Sequence, residues 1–326
     1  MPGYRRALPQ LRDELFLTDG GIETTLIFHR GLELPDFAAF DLLRRPDGEA
    51  ALRQYFRPYV ELAKRHGTGL ILESTTWRAS ADWGTRLGYG DTALADANRR
   101  AIGLLEDLRA ECGADIPHVV ISGCVGPRGD GYDPAHPMSP ADAEAYHRCQ
   151  IETFAETAAD MVAAFTINYA EEAVGIAHAA HKAGMPVAIS FTLETDGRLP
   201  TGQTLAAAIT QVDTETSGYP AYYMINCAHP THFADVLADG EPWSRRVRGL
   251  RANASRKSHA ELNEAAELDT GDPGKFGEQH ADLKRRLRHL TVMGGCCGTD
   301  DRHVASIAAA CAPLFPSAGL ASNRAR

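Results

Sequence analysis

Short apolar runs alternate with amphipathic segments along almost the whole chain, and this alternation constrains the fold more than any other feature. Most of the runs are continuously apolar and rich in β-branched residues, as expected of parallel strands that are buried on both faces. The predicted strands are 15–21, 69–75, 118–126, 161–168, 186–193, 221–228, 247–254 and 290–297.

The segments between these runs carry apolar residues at helical spacing. Segment 47–67 ends at a glycine, a typical helix stop, and Ser139 followed by Pro140 is a typical helix start. Segments 170–185 and 299–315 have the same spacing. About eight β/α units therefore follow one another, which predicts a closed (β/α)₈ TIM barrel of the α/β class. An open doubly wound sheet is the alternative.

No linker divides the chain, so residues 1–326 are predicted to form a single domain with its core at residues 11–314. The first predicted strand runs into "TDGGIETT", which does not match the G-x-G-x-x-G dinucleotide fingerprint. We expect the first ~12 residues and the tail 316–326 to be loosely ordered ends. Residues 267–277, rich in Gly, Pro and Asp, are predicted to form a long loop.

The charge balance excludes several classes of partner. Lys and Arg number 33 against 43 Asp and Glu, a net charge of −10, whereas nucleic acids and anionic membranes require clustered positive charge. The basic cluster 284–288 fits the polar face and the C-terminal end of a helix. No apolar run reaches the ~18 residues of a membrane span, and the N-terminus lacks an apolar signal core. A cytoplasmic location is therefore expected.

Polar and small residues collect at the C-terminal ends of the predicted strands. In a (β/α)₈ barrel these ends meet on one face, and that face carries the active site. The residues at these ends are Asp19 and Gly20, Thr75 and Thr76, Cys124, Asn226 and Cys227, and Cys296 and Cys297.

Three of these cysteines have the composition of a zinc site. Cys227 lies two strands before Cys296 and Cys297, so the three thiolates would bind Zn²⁺ and leave a fourth, open position. Flanking glycines would let the backbone bend so that adjacent side chains reach one ion: Gly294, Gly295 and Gly298. Simple packing and a redox pair are the alternatives, although a disulfide between adjacent residues is strained.

The remaining cysteines and nearby histidines carry weaker signals. An odd total of seven cysteines does not resemble a disulfide framework. Cys124 lies on the same predicted face and its role is open. His229 and His232 are either further ligands or loop and helix-start residues. Three cysteines are predicted to be small core residues: Cys112, Cys149 and Cys311.

Several motifs together resemble the homocysteine S-methyltransferase family. They are "TDGGIETTL", "SGCVGPRG", "INCAHP" and "MGGCCGT", in that order along the chain. The resemblance covers nearly the whole sequence and implies a (β/α)₈ barrel. It also implies that Cys227, Cys296 and Cys297 hold zinc and that Asn226 shapes the site beside them.

The resemblance implies methyl transfer to zinc-bound homocysteine, which gives methionine without a protein nucleophile. A thiol of pKa ~8.5 is mostly protonated at neutral pH, and Zn²⁺ converts it into a thiolate. Because the barrel uses nearly the whole chain, we expect a small sulfonium donor, S-methylmethionine or S-adenosylmethionine, rather than a folate. Trp77, Trp83 or Tyr169 either presents a π face to this cation or packs in the core.

One position departs from the family pattern. After the fourth strand the family has a glutamate that holds the amino group of homocysteine, and Phe165 stands there in this chain. Glu194, at the end of the fifth strand, is the predicted replacement, with Glu73 as a second candidate. A surface or loop carboxylate is the alternative for both.

The remaining substrate contacts are expected at the first, second and seventh strands. Asp19, with the backbone of Gly20, is expected to orient the amino group, although Asp before Gly-Gly is also a common turn. Thr75 and Thr76 are expected to bind the carboxylate, or else to cap the following turn. Arg251 either reaches that carboxylate or belongs to an ion pair inside the barrel.

Two other functions fit the same residues. With Phe165 in place of the amine partner, the zinc site would serve a different thiol acceptor. The second of these functions is that of a non-catalytic barrel, which zinc would stabilise and which would bind a small ligand. In each case the expected partners are small molecules, and no oligomeric state is predicted.

Overall fold

A computed structural model describes residues 3–237, 241–265 and 267–316. Eight parallel strands pair in chain order, and the first pairs with both the second and the last, which closes the barrel. Each strand lies within its predicted segment, so the barrel is confirmed and the open sheet is excluded. The strands are β1 (Phe16–Leu17), β2 (Gly69–Glu73), β3 (Val119–Val125), β4 (Met161–Ile167), β5 (Val187–Thr192), β6 (Tyr222–Asn226), β7 (Val247–Ala252) and β8 (Val292–Gly295).

Helices connect the strands and begin and end where local chemistry requires. Helix α1 ends at Gly67, whose φ of 60° is left-handed, and Ser139 accepts a hydrogen bond from the Asp142 amide at the start of α4. The helices are α1 (Pro46–His66), α2 (Ala81–Arg86), α3 (Asp91–Cys112), α4 (Pro140–Ala155), α5 (Ala170–Lys182), α6 (Leu205–Thr216), α7 (Pro230–Phe233), α8 (His259–Asn263), α9 (Pro273–Arg286) and α10 (Asp301–Cys311).

Shorter helical turns occupy parts of the connections. A π-helical turn, Thr24–His29, follows β1. The 3₁₀ turns are Pro9–Leu11, Pro35–Phe37, Ala39–Arg44, Ser244–Arg246 and Ala312–Leu314. In the described part of the chain, no helix is both long and apolar enough to cross a membrane.

Alternate residues of each strand face opposite sides of the barrel wall, because side chains in a strand alternate. Leu70 and Leu72 of β2 pack in the outer cluster beneath the helices, whereas Ile71 packs in the cluster inside the barrel. The same alternation turns Glu73 and Arg251 toward the barrel interior, close to the C-terminal ends of their strands. The wall thus positions charged residues within an otherwise apolar core.

The N-terminal segment from Gly3 onward makes specific contacts with the barrel, so the expectation of a loose N-terminus was wrong for the described residues. The amides of Gly3 and Tyr4 donate to Asp160 Oδ1 at 2.6 and 2.9 Å, and Arg5 Nε donates to the Ala159 carbonyl at 2.8 Å. Asp160 is fully buried and also binds Arg109, so a charged anchor holds this segment. Residues 317–326 of the predicted loose tail lie outside the described residues.

The predicted loop at 267–277 is shorter than expected. The Asp272 side chain accepts from the amides of Gly274 and Lys275, which starts α9 at Pro273. The basic cluster at 284–288 does overlap the end of α9. Lys284, however, is 3% exposed and donates to the Arg288 carbonyl, so it does not lie on a polar face.

Candidate active site

The three predicted cysteines meet at the C-terminal face of the barrel. Cys227 follows β6, and Cys296 and Cys297 follow β8. The Cys227 sulfur lies 2.6 Å from the Cys296 sulfur and 3.9 Å from the Cys297 sulfur. Within the described ranges, this is the one group of three or more His, Cys, Asp or Glu side chains close enough to share a metal ion.

The donor set fits a thiophilic metal. All three cysteines are free; Cys227 is buried, Cys296 half-buried and Cys297 exposed, so the cluster opens toward the surface. Tetrahedral Zn–S bonds of ~2.3 Å place sulfurs about 3.8 Å apart, which matches the longer separation. The shorter separation lies well inside this value, and the Cys296 thiol next to Cys227 lowers the pKa of Cys227 well below that of a free thiol.

The backbone explains how neighbouring side chains converge. Cys227 has a φ of 54°, and Gly298 has a φ of 78°, a left-handed value that costs glycine little. Gly294 does not supply such a bend: a Cβ there would lie 1.9 Å from Thr18 Oγ1, so glycine is required by close packing. Among the three flanking glycines, only Gly298 has a positive φ, which corrects the role predicted for the other two.

The other predicted ligand candidates lie outside the cluster. His229 caps the start of α7 by accepting from the Thr231 amide, and His232 donates to the Arg256 carbonyl. Cys124 is buried inside the barrel, where burial raises the pKa of its thiol. Cys112 and Cys311 are buried as predicted, whereas Cys149 is exposed and is not a core residue.

Asn226 fixes the backbone beside the cluster. Its Oδ1 accepts from the Thr166 amide at 2.9 Å and from Ser190 Oγ at 2.7 Å, while its Nδ2 donates to Thr166 Oγ1 at 2.9 Å. Thr166 has a φ of 61°, a strained value for a β-branched residue. Its hydroxyl lies 3.9 Å from the Cys227 sulfur, and Asn226 Nδ2 lies 3.9 Å from the Cys296 sulfur.

Replacing Asn226 by alanine is expected to weaken metal binding about 10- to 100-fold, because such supporting contacts orient the ligands. Competition with a chromophoric chelator measures this affinity. Asn98→Ala is the matched control: Asn98 is equally buried and hydrogen-bonded, but it lies on α3 against the Ala79 carbonyl. Equal metal affinities in the two variants would contradict the role given to Asn226.

Tyr132, on the loop after β3, and His259, the first residue of α8, lie beside the cluster. Their rings are 4.0 Å apart between centroids, and Tyr132 Oη lies 4.0 Å from the Cys297 sulfur. His259 Nε2 donates to the Cys227 carbonyl at 2.6 Å, and its Nδ1 lies 3.3 Å from Glu194 Oε1. Sequence reasoning missed both rings, because only the fold brings them to the cysteines. Glu194, 35% exposed, contacts the site through His259.

Arg251 is a member of an ion pair inside the barrel, one of its two predicted roles. Its Nη2 lies 2.6 Å from Asp19 Oδ1, and the guanidinium also donates to the carbonyls of Gly20 and Gly295. The Phe165 ring centroid is 5.0 Å from the guanidinium carbon. Asp19 is held on its other oxygen by the Tyr55 hydroxyl at 2.7 Å.

Two further carboxylates lie near this pair. Burial raises the pKa of Glu73 to about 7, and burial likewise raises the pKa of Glu23 to about 7. Glu23 belongs to the "TDGGIETTL" motif, and nothing in the sequence alone indicates that its side chain is buried beside Asp19 and Arg251. Thr76 Oγ1 donates to the Cys124 carbonyl at 2.7 Å, a structural contact, whereas Thr75 Oγ1 is buried with no hydrogen-bond partner.

The aromatic candidates for a cationic donor are already engaged. The guanidinium of Arg78 lies 3.9 Å from the Trp77 ring and 3.6 Å from the Trp83 ring. Tyr169 accepts a hydrogen bond from the Met138 amide. The packing interpretation of these three residues therefore fits the structure better than a free π face for the donor.

The fold is that of a (β/α)₈ barrel, and three cysteines that could hold a metal ion lie at the C-terminal ends of its strands. The chain matches the homocysteine S-methyltransferase family over residues 16–311, and it belongs to that family of methyltransferases. This confirms the resemblance that the sequence motifs indicated.

Solved structures of the homocysteine methyltransferase MmuM from Escherichia coli have the same fold. The metallated form is 19% identical with a TM-score of 0.69, and the match covers 93% of this chain and 98% of that one. The oxidised form is 21% identical with a TM-score of 0.70, covering 94% and 99%.

Proposed function

We propose that this enzyme transfers a methyl group from a small donor to the thiol of homocysteine and so forms methionine. The observation that carries the proposal is the cluster of Cys227, Cys296 and Cys297, open to the surface on one side, in a member of this family. Zn²⁺ is the proposed metal; when bound by the three thiolates, it would supply the Lewis acidity that deprotonates the acceptor thiol.

The chain's own residues would orient the reactants. Asn226 and Thr166 hold the cysteine loops, and His259, backed by Glu194, holds the Cys227 carbonyl. Asp19 and Gly20, fixed by Arg251, would form the wall next to the acceptor. Thr75 is proposed to bind the acceptor carboxylate and Thr76 to keep β2 and β3 in register. Holding two reactants in line accounts for much of such a rate enhancement.

The proposed donor is a sulfonium, S-methylmethionine or S-adenosylmethionine. The acceptor thiolate attacks the methyl carbon, the carbon–sulfonium bond breaks, and both sulfurs end as neutral thioethers. The thiol proton is lost to solvent, so no oxidant or reductant is required.

A donor panel tests the proposal. Purified protein is incubated with homocysteine and each of S-methylmethionine, S-adenosylmethionine, betaine and methyltetrahydrofolate, and methionine is quantified by mass spectrometry. We expect methionine with at least one sulfonium and its loss after treatment with a zinc chelator. No methionine from any donor by the zinc-loaded protein would overturn the proposed function.

A different thiol acceptor is the second candidate, favoured by the packing of Phe165 on Arg251. An apolar ring at the end of β4 offers no partner for an ammonium group. Equal turnover of homocysteine and 4-mercaptobutanoate, which lacks the amino group, would favour this candidate.

A further inference from the structure

Glu73 occupies an unusual position for a carboxylate. It ends β2 on the inner side of the wall, in register with Ser122 of β3, and it is 5% exposed. Its Oε2 has no hydrogen-bond partner, and no cation of the described residues lies within ion-pair distance. Burial raises the pKa of Glu73 to about 7, so its charged form is costly unless a cation lies against it, and an ammonium group next to Oε2 would stabilise that form.

The two neighbouring guanidinium groups are committed elsewhere. Arg251 is paired with Asp19 at 2.6 Å and donates to two carbonyls. Arg78 lies between two tryptophan rings, and the charge it faces includes Glu23. The charge of Arg251 lowers the pKa of Glu73, but neither guanidinium forms an ion pair with Glu73 in the described part of the chain, so Oε2 of Glu73 is left without a direct partner.

The strand register places Glu73 and Cys296 at equivalent positions on the two strands that flank β1. Phe16 of β1 pairs with Gly69 and with Val292, and Glu73 and Cys296 each lie four residues beyond these partners. Two strand spacings of ~4.8 Å then put their backbones at most about 10 Å apart, with both side chains turned inward.

We propose that Glu73 binds the ammonium group of the amino-acid acceptor whose sulfur lies at the cysteine cluster. The neighbouring Thr75 hydroxyl, buried and without a partner, donates to the carboxylate of the same molecule. This inference rests on the proposed function and adds the specificity determinant for an α-amino thiol. It assigns the ammonium contact to a residue of β2. The position of Phe165 in β4 then needs no carboxylate, and Glu194, which follows β5, is not the ammonium partner.

Binding of the reaction product separates this inference from catalysis. Isothermal titration calorimetry compares L-methionine with 4-(methylsulfanyl)butanoate, which differs only by lacking the amino group. The wild-type protein should prefer methionine by about 10- to 100-fold, the range of a charge-assisted hydrogen bond. Glu73→Gln should lose this preference while its affinity for the amine-free compound stays the same.

Two further variants keep the test decisive. Glu152→Gln is the matched control, because Glu152 is exposed on α4 at the outside of the barrel. If Glu73→Gln fails to fold in a thermal unfolding check, Glu73→Asp is used; it retains the charge but shortens the reach, so the preference should fall without vanishing.

The outcomes that overturn the inference are specific. They are an unchanged preference in the Glu73 variant, a loss of preference in Glu194→Gln instead, or no preference in the wild-type protein. A wild-type protein that prefers methionine but forms none from any donor would overturn the proposed function and leave the role of Glu73 standing.

Discussion

Replacing Cys296 by serine is expected to abolish metal binding and methyl transfer together. A serine hydroxyl stays protonated at neutral pH and is a poor zinc ligand, so one of three thiolate ligands and one negative charge are lost. Among the described residues no fourth His, Cys, Asp or Glu side chain belongs to the cluster, so none can take the place of Cys296. We expect metal affinity to fall by at least about 100-fold.

Metal content by inductively coupled plasma mass spectrometry and methionine formation are measured on the same preparation. Cys149→Ser is the matched control, since Cys149 is exposed on α4 and remote from the cluster. It should retain one metal per chain and full turnover. A Cys296→Ser protein that turned over at the wild-type rate with no bound metal would exclude the zinc mechanism.

The elements of the barrel were predictable because their signals are local. A buried parallel strand is a continuous apolar run, and a helix end carries its own cap, such as Ser139 at the start of α4 or the glycine that ends α1. The meeting of the three cysteines followed from the same order, because strand ends of a barrel meet on one face. Cys227 and Cys296 could therefore be joined across 69 positions of sequence.

The sequence did not indicate the contacts that form only when the barrel closes. Tyr132 reaches Cys297 across 165 positions, and the amide of Gly3 reaches Asp160 across 157. A tyrosine or a glycine in the sequence gives no indication of a partner so far away along the chain. The left-handed backbone of Thr166 could not be predicted from the sequence either, because the hydrogen bond that the Thr166 amide donates to Asn226 Oδ1 joins residues of two different strands.

Removing the Arg251 guanidinium should destabilise the fold strongly. Asp19 is 5% exposed and would keep only the Tyr55 hydroxyl as a side-chain partner. Breaking one side of a buried ion pair costs about 3–5 kcal/mol, because the remaining charge stays buried. Arg251→Met is therefore expected to lower the free energy of unfolding, measured with urea, by that amount.

An exposed ion pair provides the control. Arg99 contacts Glu156 at 2.9 Å, but the two side chains are 44% and 66% exposed. Arg99→Met should cost less than about 1 kcal/mol, as is usual at the surface. In the double variant Asp19→Asn/Arg251→Met neither charge of this pair remains, so its loss of stability should be smaller than the sum of the two single losses. Additive losses would contradict a buried charge pair.

The pH dependence of Arg251→Met gives an independent check on the same pair. Burial raises the pKa of Asp19, and Arg251 opposes this effect in the wild-type protein. Without Arg251 the folded-state pKa rises further above the unfolded value of ~3.9. The charged form is then the costly one, so the destabilisation grows as the pH rises from the unfolded to the folded pKa and is constant above it. Lowering the pH toward 4 should restore part of the stability that Arg251→Met loses relative to wild type, whereas a purely steric defect would leave that difference unchanged.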